Sequence, residues 1–223
     1  AMRKVIDTHD IFVCASAGNH AQGVAFMCRH FGVKGVVFMP VTTPEQKVMK
    51  TQMFGGAHVE IRLVGDYFDE TLKASQRYCA EKEAYFLSPF DDEDVIEGQA
   101  SVAVEIEEQL ARVPDHVVLP VGGGGLSAGT FSYFGDECAY TFVEPTGAQS
   151  LKMAVDAGAP VTISVVDTFV DGAAVARIGE RTFSRLKGID GSTVLHLDED
   201  RICTTILEML NVEGIVLEPA GAM

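Results

Sequence analysis

Tryptophan is absent from the 223 residues, aromatic residues make up 8 %, and basic residues are scarce: 17 lysines and arginines face 32 aspartates and glutamates. The formal charge of −15 argues against a nucleic-acid partner, which demands a basic footprint on the protein. It argues equally against an anionic membrane surface. No apolar run reaches the roughly 18 residues of a membrane span, and no apolar stretch of a signal peptide follows Ala1-Met2-Arg3-Lys4. Cysteines are few and odd in number, at 14, 28, 79, 138 and 203, with no spacing that suggests a zinc site or a disulfide framework. Cys14 and Cys28 lie in apolar stretches and read as small core residues. An acidic, disulfide-free chain of this kind is expected in the cytoplasm.

What remains is ample material for a core, with 47 % apolar and 22 % charged residues. Short β-rich runs alternate with longer helical patterns. Strands are expected at residues 11–14, 35–39, 59–64, 85–87, 117–121, 140–143, 193–197 and 214–217. Helices are expected at residues 20–31, 44–54, 67–82, 95–110, 149–157, 173–186 and 199–210, with one more after the glycine run that ends near residue 134. This alternation implies an α/β protein with parallel sheets joined by right-handed crossovers. Residues 117–121 form an unbroken apolar run, the pattern of a strand buried on both faces. The acidic stretch Asp91-Asp92-Glu93-Asp94 marks a boundary between a smaller βα domain, 1–92, and a larger one, 93–223, with ligand expected between them. Both ends are abrupt, so the sequence is expected to be an internal fragment of a longer protein.

Two loops carry chemistry. The first is Ser16-Ala17-Gly18-Asn19-His20-Ala21-Gln22-Gly23, between a strand and a helix. Small residues there let a ligand approach backbone N–H groups, and the helix dipole favours a carboxylate or phenolate. The same residues would also serve as an ordinary capped helix start. The second is Gly122-Gly123-Gly124-Gly125-Leu126, directly after the apolar strand. Four successive glycines cost conformational entropy, and they make sense where consecutive N–H groups wrap an anion such as a phosphate. No Gly-Lys-Ser/Thr follows, so this is not a nucleoside-triphosphate loop. Gly123, Gly125 and Ala128 also fit a dinucleotide-binding fingerprint, and Glu144 ends the next strand where an acid would meet the ribose of NAD. Its place after four strands, and the unexplained first loop, weigh against that alternative.

Taken together the two loops resemble those of the fold-type II pyridoxal-phosphate (PLP) enzymes of the tryptophan synthase β-like kind, in particular threonine dehydratase (threonine ammonia-lyase) of the biosynthetic type. The resemblance extends to Pro44-Glu45-Gln46-Lys47, Glu97-Gly98-Gln99, Phe169-Val170-Asp171-Gly172-Ala173-Ala174-Val175 and Glu213-Gly214 leading to Glu218-Pro219-Ala220-Gly221-Ala222. It implies that PLP is the cofactor, with Gly122, Gly123, Gly124, Gly125 and Leu126 holding its phosphate and Asn19 bonded to its phenolic oxygen. Ser16, Ala17, Gly18 and His20 would bind the substrate carboxylate, His20 mainly through its backbone. The implied reaction converts L-threonine to 2-oxobutanoate and ammonia, the first step of isoleucine biosynthesis. Ala17 stands where related racemases carry a serine, which favours elimination. A further alternative is another enzyme of the same fold type, such as a serine dehydratase or threonine synthase. A homo-oligomer is implied for the whole protein.

Two expected parts are missing. The family's Schiff-base lysine belongs to a Ser-Phe/Tyr-Lys-x-Arg-Gly-Ala motif, and no such motif occurs in the sequence. No catalytic residue is therefore assigned, and the chain alone is expected to be inactive. The pyridine-nitrogen serine motif is also absent. Some relatives bind a divalent metal between a glutamate and a later carboxylate, but Ser150 occupies the position that would follow Glu144, so no metal is expected.

Overall fold

The computed structural model describes residues 1–66 and 68–223; Tyr67, where the sequence places the start of one helix, lies outside the described residues. The chain gathers into two compact units, Ala1–Pro89 and Phe90–Met223.

The first unit runs α1 (Met2–Val5), β1 (Ile11–Ala15), α2 (Asn19–Phe31), β2 (Lys34–Met39), α3 (Glu45–Gly55), β3 (Val59–Leu63), α4 (Phe68–Lys82) and β4 (Tyr85–Phe86). Its strands are all parallel, in the order β3-β2-β1-β4. Alternate residues of the central strands serve two cores, as the strand period of two requires. Phe12, Cys14, Val37 and Met39 pack with Ala21, Val24, Ala25 and Cys28 of α2. Val13, Ala15, Val36 and Phe38 pack with Ala74 and Tyr78 of α4. Cys14 and Cys28 are fully buried, and burial pushes the Cys28 thiol up to about 12; both act as small apolar residues. Strand β2 reaches α2 so closely that a Cβ at Gly35 would lie 2.7 Å from Cys28 Sγ. Gly32 ends α2 in the left-handed region, φ 69°, with its N–H bonded to Arg29 O.

The second unit runs α5 (Glu93–Gln99), α6 (Ser101–Leu110), β5 (His116–Pro120), α7 (Gly125–Phe134), β6 (Ala139–Pro145), α8 (Ser150–Ala157), α9 (Glu180–Leu186), β7 (Val194–Leu197) and α10 (Glu199–Glu208). Its sheet is parallel, in the order β5-β6-β7. Leu119, Phe142 and Val194 form the inner pleat, packed on Ala128, Leu151, Ala154 and Phe183 from the helices.

Four expectations need correction here. The helix expected over 95–110 is two helices, α5 and α6, joined at Ala100. Gly98 weakens the helix interior just before the joint, and Gly129 of α7 lies against it: a Cβ there would sit 2.7 Å from both Ala100 N and Ile96 O. The helix expected over 173–186 begins only at Glu180. Upstream, the backbone spends its groups elsewhere, with Ala173 N bonded to Val170 O, Val175 N to Ala173 O and Ile163 N to Ala176 O. Residues 214–217 form no strand; Ile215 N bonds Met209 O, closing a π-helical turn over Met209–Glu213. Finally, β5 is not buried on both faces. Leu119 is buried, yet Val118 on the opposite pleat is 60 % exposed, and Leu195 of β7 is 51 % exposed.

Candidate cofactor and substrate loops

The first loop leaves β1 with Ser16 N bonded to Phe38 O at 3.0 Å. Ser16 Oγ then accepts a hydrogen bond from Gly18 N at 3.2 Å. This tight serine turn sets Gly18 as the cap residue of α2, which has no side-chain cap. The first main-chain bond of the helix joins Gln22 N to Gly18 O, at 3.3 Å. The N–H groups of Asn19, His20 and Ala21 therefore have no acceptor within the helix, and Asn19 stands exposed at its start. The cap position itself is held by Gly18, and Ser16 bonds the N–H of Gly18 ahead of the helix.

The imidazole of His20 is committed elsewhere. Its Nε2 lies 3.1 Å from Leu87 O; a carbonyl only accepts, so Nε2 carries the proton and donates. Leu87 is itself fixed by its N–H, bonded to Val13 O at 2.8 Å. Burial holds the His20 ring below its ordinary value. This neutral ring locks the start of α2 to the chain beyond β4, which leaves the backbone of His20 as the part that faces outward chemistry.

The glycine loop follows β5. Val121 N bonds Val143 O at 2.8 Å, and three residues later Gly124, at φ 85°, turns the chain into α7. Only glycine adopts that left-handed value without strain. The neighbouring glycines are required by contact. A Cβ at Gly122 would lie 3.0 Å from Ala173 Cα, and one at Gly123 would lie 2.2 Å from the Phe90 ring. At Gly125 it would meet Phe90 Cβ at 3.1 Å. The run is a closely packed cradle with fixed backbone, and not a flexible turn. Its carbonyls are occupied: Ser150 Oγ–H donates to Gly122 O at 3.0 Å, and Thr182 Oγ1–H donates to Gly123 O at 2.8 Å. The first-turn N–H groups of α7 have no acceptor within the helix. A phosphate fits such a donor set: consecutive amides at a helix N-terminus, with the opposing carbonyls turned away.

Glu144 decides between the two readings of the strand end that follows. Its side chain is 0 % exposed. One carboxylate oxygen accepts from Leu151 N at 2.6 Å and the other from Lys152 N at 2.9 Å. It caps the N-terminus of α8 with both oxygens and offers none to a ribose. Burial pushes its carboxyl up to about 7, against the opposing pull of those N–H donors. The dinucleotide alternative loses its acid. Ser150, read in the sequence only as a missing metal ligand, is with Thr182 one of the two residues that hold the glycine loop.

Several short pieces that are far apart in sequence meet around this loop. Residues 169–175 lie under Gly122 through Ala173 and Gly172. Ala220 lies 3.0 Å from the Cβ position of Gly172, and Ala222 packs with Val170 and Ala173. Gln99 abuts Gly129 of α7. Phe90, Asp91 and Thr182 complete the surroundings; Phe90 and Thr182 carried no local signal in the sequence, and Asp91 was legible only as part of the acidic boundary stretch. Asp91 Oδ1 accepts from Arg181 N at 2.7 Å and so caps α9.

The chain is similar to several known proteins. The chain is 45 % identical over 219 residues to the biosynthetic L-threonine dehydratase IlvA of Bacillus subtilis (strain 168), covering 97 % of the chain and 52 % of that protein. The corresponding protein of Lactococcus lactis is 45 % identical over 216 residues, with 94 % and 52 % covered. The chain thus spans about half the length of the curated relatives it matches. Among solved structures, the processed form of threonine deaminase isoform 2 from Solanum lycopersicum superposes with a TM-score of 0.86 at 36 % identity, over 97 % of this chain and 63 % of that one. A threonine deaminase from T.th. gives 0.85 at 30 % identity, over 96 % and 70 %. The fold is accordingly that of the fold-type II enzymes. A family model described as "Pyridoxal-phosphate dependent enzyme" matches residues 3–223, and the chain belongs to that family.

Proposed function

We propose that this chain is the part of a biosynthetic threonine dehydratase that grips cofactor and substrate, within an enzyme that converts L-threonine to 2-oxobutanoate and ammonia at the entry to isoleucine biosynthesis. The observation that supports this best is the glycine cradle at residues 122–126, with its carbonyls tied back and its amides presented at the start of α7.

In this reading Gly122, Gly123, Gly124, Gly125 and Leu126 hold the PLP phosphate through main-chain N–H groups. Asn19 hydrogen-bonds the phenolic oxygen of the ring. The substrate carboxylate is received by Ser16, Ala17, Gly18 and the backbone of His20 at the start of α2, where the helix dipole stabilises a negative charge. When bound, PLP supplies the electron sink that lets the Cα proton leave. Residues 1–92 thereby form the carboxylate-binding domain and 93–223 the phosphate-binding one. The whole protein is a cytoplasmic homo-oligomer. Among the described residues no helix is long and apolar enough to cross a membrane.

No lysine of the sequence stands in the family's Schiff-base motif, so this chain binds PLP noncovalently and turns over little or no L-threonine. The test mixes the purified chain with PLP and L-threonine, assays 2-oxobutanoate and treats a parallel sample with borohydride. Saturable PLP binding without a reducible adduct is expected. Robust turnover, or a stoichiometric reduced adduct, overturns the assignment of no catalytic lysine. A longer version that contains such a lysine, profiled on L-threonine and L-serine, separates threonine dehydratase from serine dehydratase.

A further inference from the structure

We propose that Ser150 and Thr182 are positioning residues that aim the amides of the glycine loop at its anion; this rests on the reading of that loop as a phosphate cradle. A peptide group is planar, and its C=O and N–H point in opposite directions. The carbonyl of Gly122 shares a plane with the N–H of Gly123. Holding Gly122 O therefore fixes where Gly123 N–H points. In the same way, holding Gly123 O fixes Gly124 N–H.

The two holds are built alike. Ser150 Oγ donates to Gly122 O at 3.0 Å; its other neighbour, Glu144 Oε1, is at 3.5 Å. Thr182 Oγ1 donates to Gly123 O at 2.8 Å, while the alternative acceptor Gly179 O is at 3.1 Å. A hydroxyl has one proton, and in both cases the loop carbonyl is the nearer acceptor. Both side chains are fully buried, so water cannot replace them. Each stands in the first turn of a helix whose N-terminus is capped by an acid. Glu144 fixes α8 through Leu151 N and Lys152 N, and Asp91 fixes α9 through Arg181 N. Gly179 N adds a longer contact to Gly123 O at 3.4 Å. Four successive glycines have wide backbone freedom; these two hydroxyls remove it at the two peptide planes that matter.

The experiment uses this chain, with PLP and inorganic phosphate as probes, and follows the Gly123 and Gly124 amide resonances by nitrogen-15 NMR beside calorimetric affinities. Thr182→Val is expected to weaken PLP affinity on the order of tenfold and to abolish the phosphate-induced shift of Gly124 while that of Gly123 remains. Ser150→Ala should do the reverse. Thr182→Ser, which keeps the hydroxyl, should restore affinity and shift. Wild-type affinity and shifts in both Thr182→Val and Ser150→Ala overturn the inference. So does loss of both shifts together in either variant, or failure of Thr182→Ser to restore them. If the wild-type chain shows no phosphate or PLP response at residues 122–126, the cradle reading itself falls and takes this inference with it.

Discussion

Replacing Gly123 by alanine tests whether the cradle is shaped by packing. The added Cβ would lie 2.2 Å from Cδ1 and Cγ of Phe90 and 2.5 Å from Cε1, where a carbon contact wants about 3.5–4.0 Å. Ring or loop must therefore retreat by more than an ångström. Overpacking of this kind costs about 1–3 kcal/mol. Gly123 does not have a positive φ, so alanine also brings about 0.4–1 kcal/mol of stabilisation by restricting the unfolded chain. The net expectation runs from no change to a loss of about 2.6 kcal/mol. The double-mutant cycle isolates the cause. In a Phe90→Ala background the ring is gone, and Gly123→Ala should be neutral or stabilising by up to about 1 kcal/mol, giving a coupling of about 1–3 kcal/mol. Urea unfolding followed by far-ultraviolet circular dichroism suits a chain without tryptophan. If Gly123→Ala and Phe90→Ala show no coupling, so that the effect of Gly123→Ala is the same with and without the Phe90 ring, the packing argument is wrong.

Other outcomes follow from the same geometry. Gly129→Ala should lower the melting temperature, although alanine is normally the better helix former by about 1 kcal/mol, because the new Cβ meets main-chain atoms of Ala100 and Ile96 at 2.7 Å; a rise in Tm would contradict it. Glu144, raised from 4.5 to about 7, holds in the folded chain a proton that the unfolded chain releases between those values, so its contribution to stability falls as pH rises through that window. The unfolding free energy of wild type relative to Glu144→Gln should drop by about 3 kcal/mol from pH 4.5 to 7, and a flat difference would exclude this origin. His20 is depressed by burial: the unfolded ring takes up its proton first, so this residue removes stability as pH falls below its ordinary 6.5. Proton NMR of the ring should place its midpoint below that value.

The strands and both loops were legible because their signals are local. Apolar runs broken by Gly and Pro mark the strands, and the glycine run marks a place where backbone must come close to something. What holds that run is not local. The Ser150 hydroxyl bonds Gly122 across 28 residues, Thr182 reaches Gly123 across 59, and Asp91 reaches Arg181 across 90. None of them shows this role until the chain is folded. Glu144 shows a different limit. Its position was visible, but an acid at a strand end suits a ribose, a metal or a helix cap equally well. The N–H groups of Leu151 and Lys152 decide for the cap. The overextended helix before Glu180 and the unformed strand at 214–217 are cases where propensity pointed one way and the available hydrogen-bond partners another.

The open pleat of the β5-β6-β7 sheet bears on how this chain behaves in solution. Val118 and Leu195 present apolar side chains there, on a kind of sheet that is usually covered on both faces, and both lie on its outer strands, β5 and β7, whose edges can template further pairing. At neutral pH the formal charge of −15 keeps copies apart by mutual repulsion. Acidification into the carboxylate range removes that repulsion, and salt shortens its reach to about 10 Å at 0.1 M; neither covers Val118 or Leu195. Colloidal stability of this chain is therefore electrostatic, strongest in dilute buffer at neutral pH and weakest in acidic or high-salt solutions.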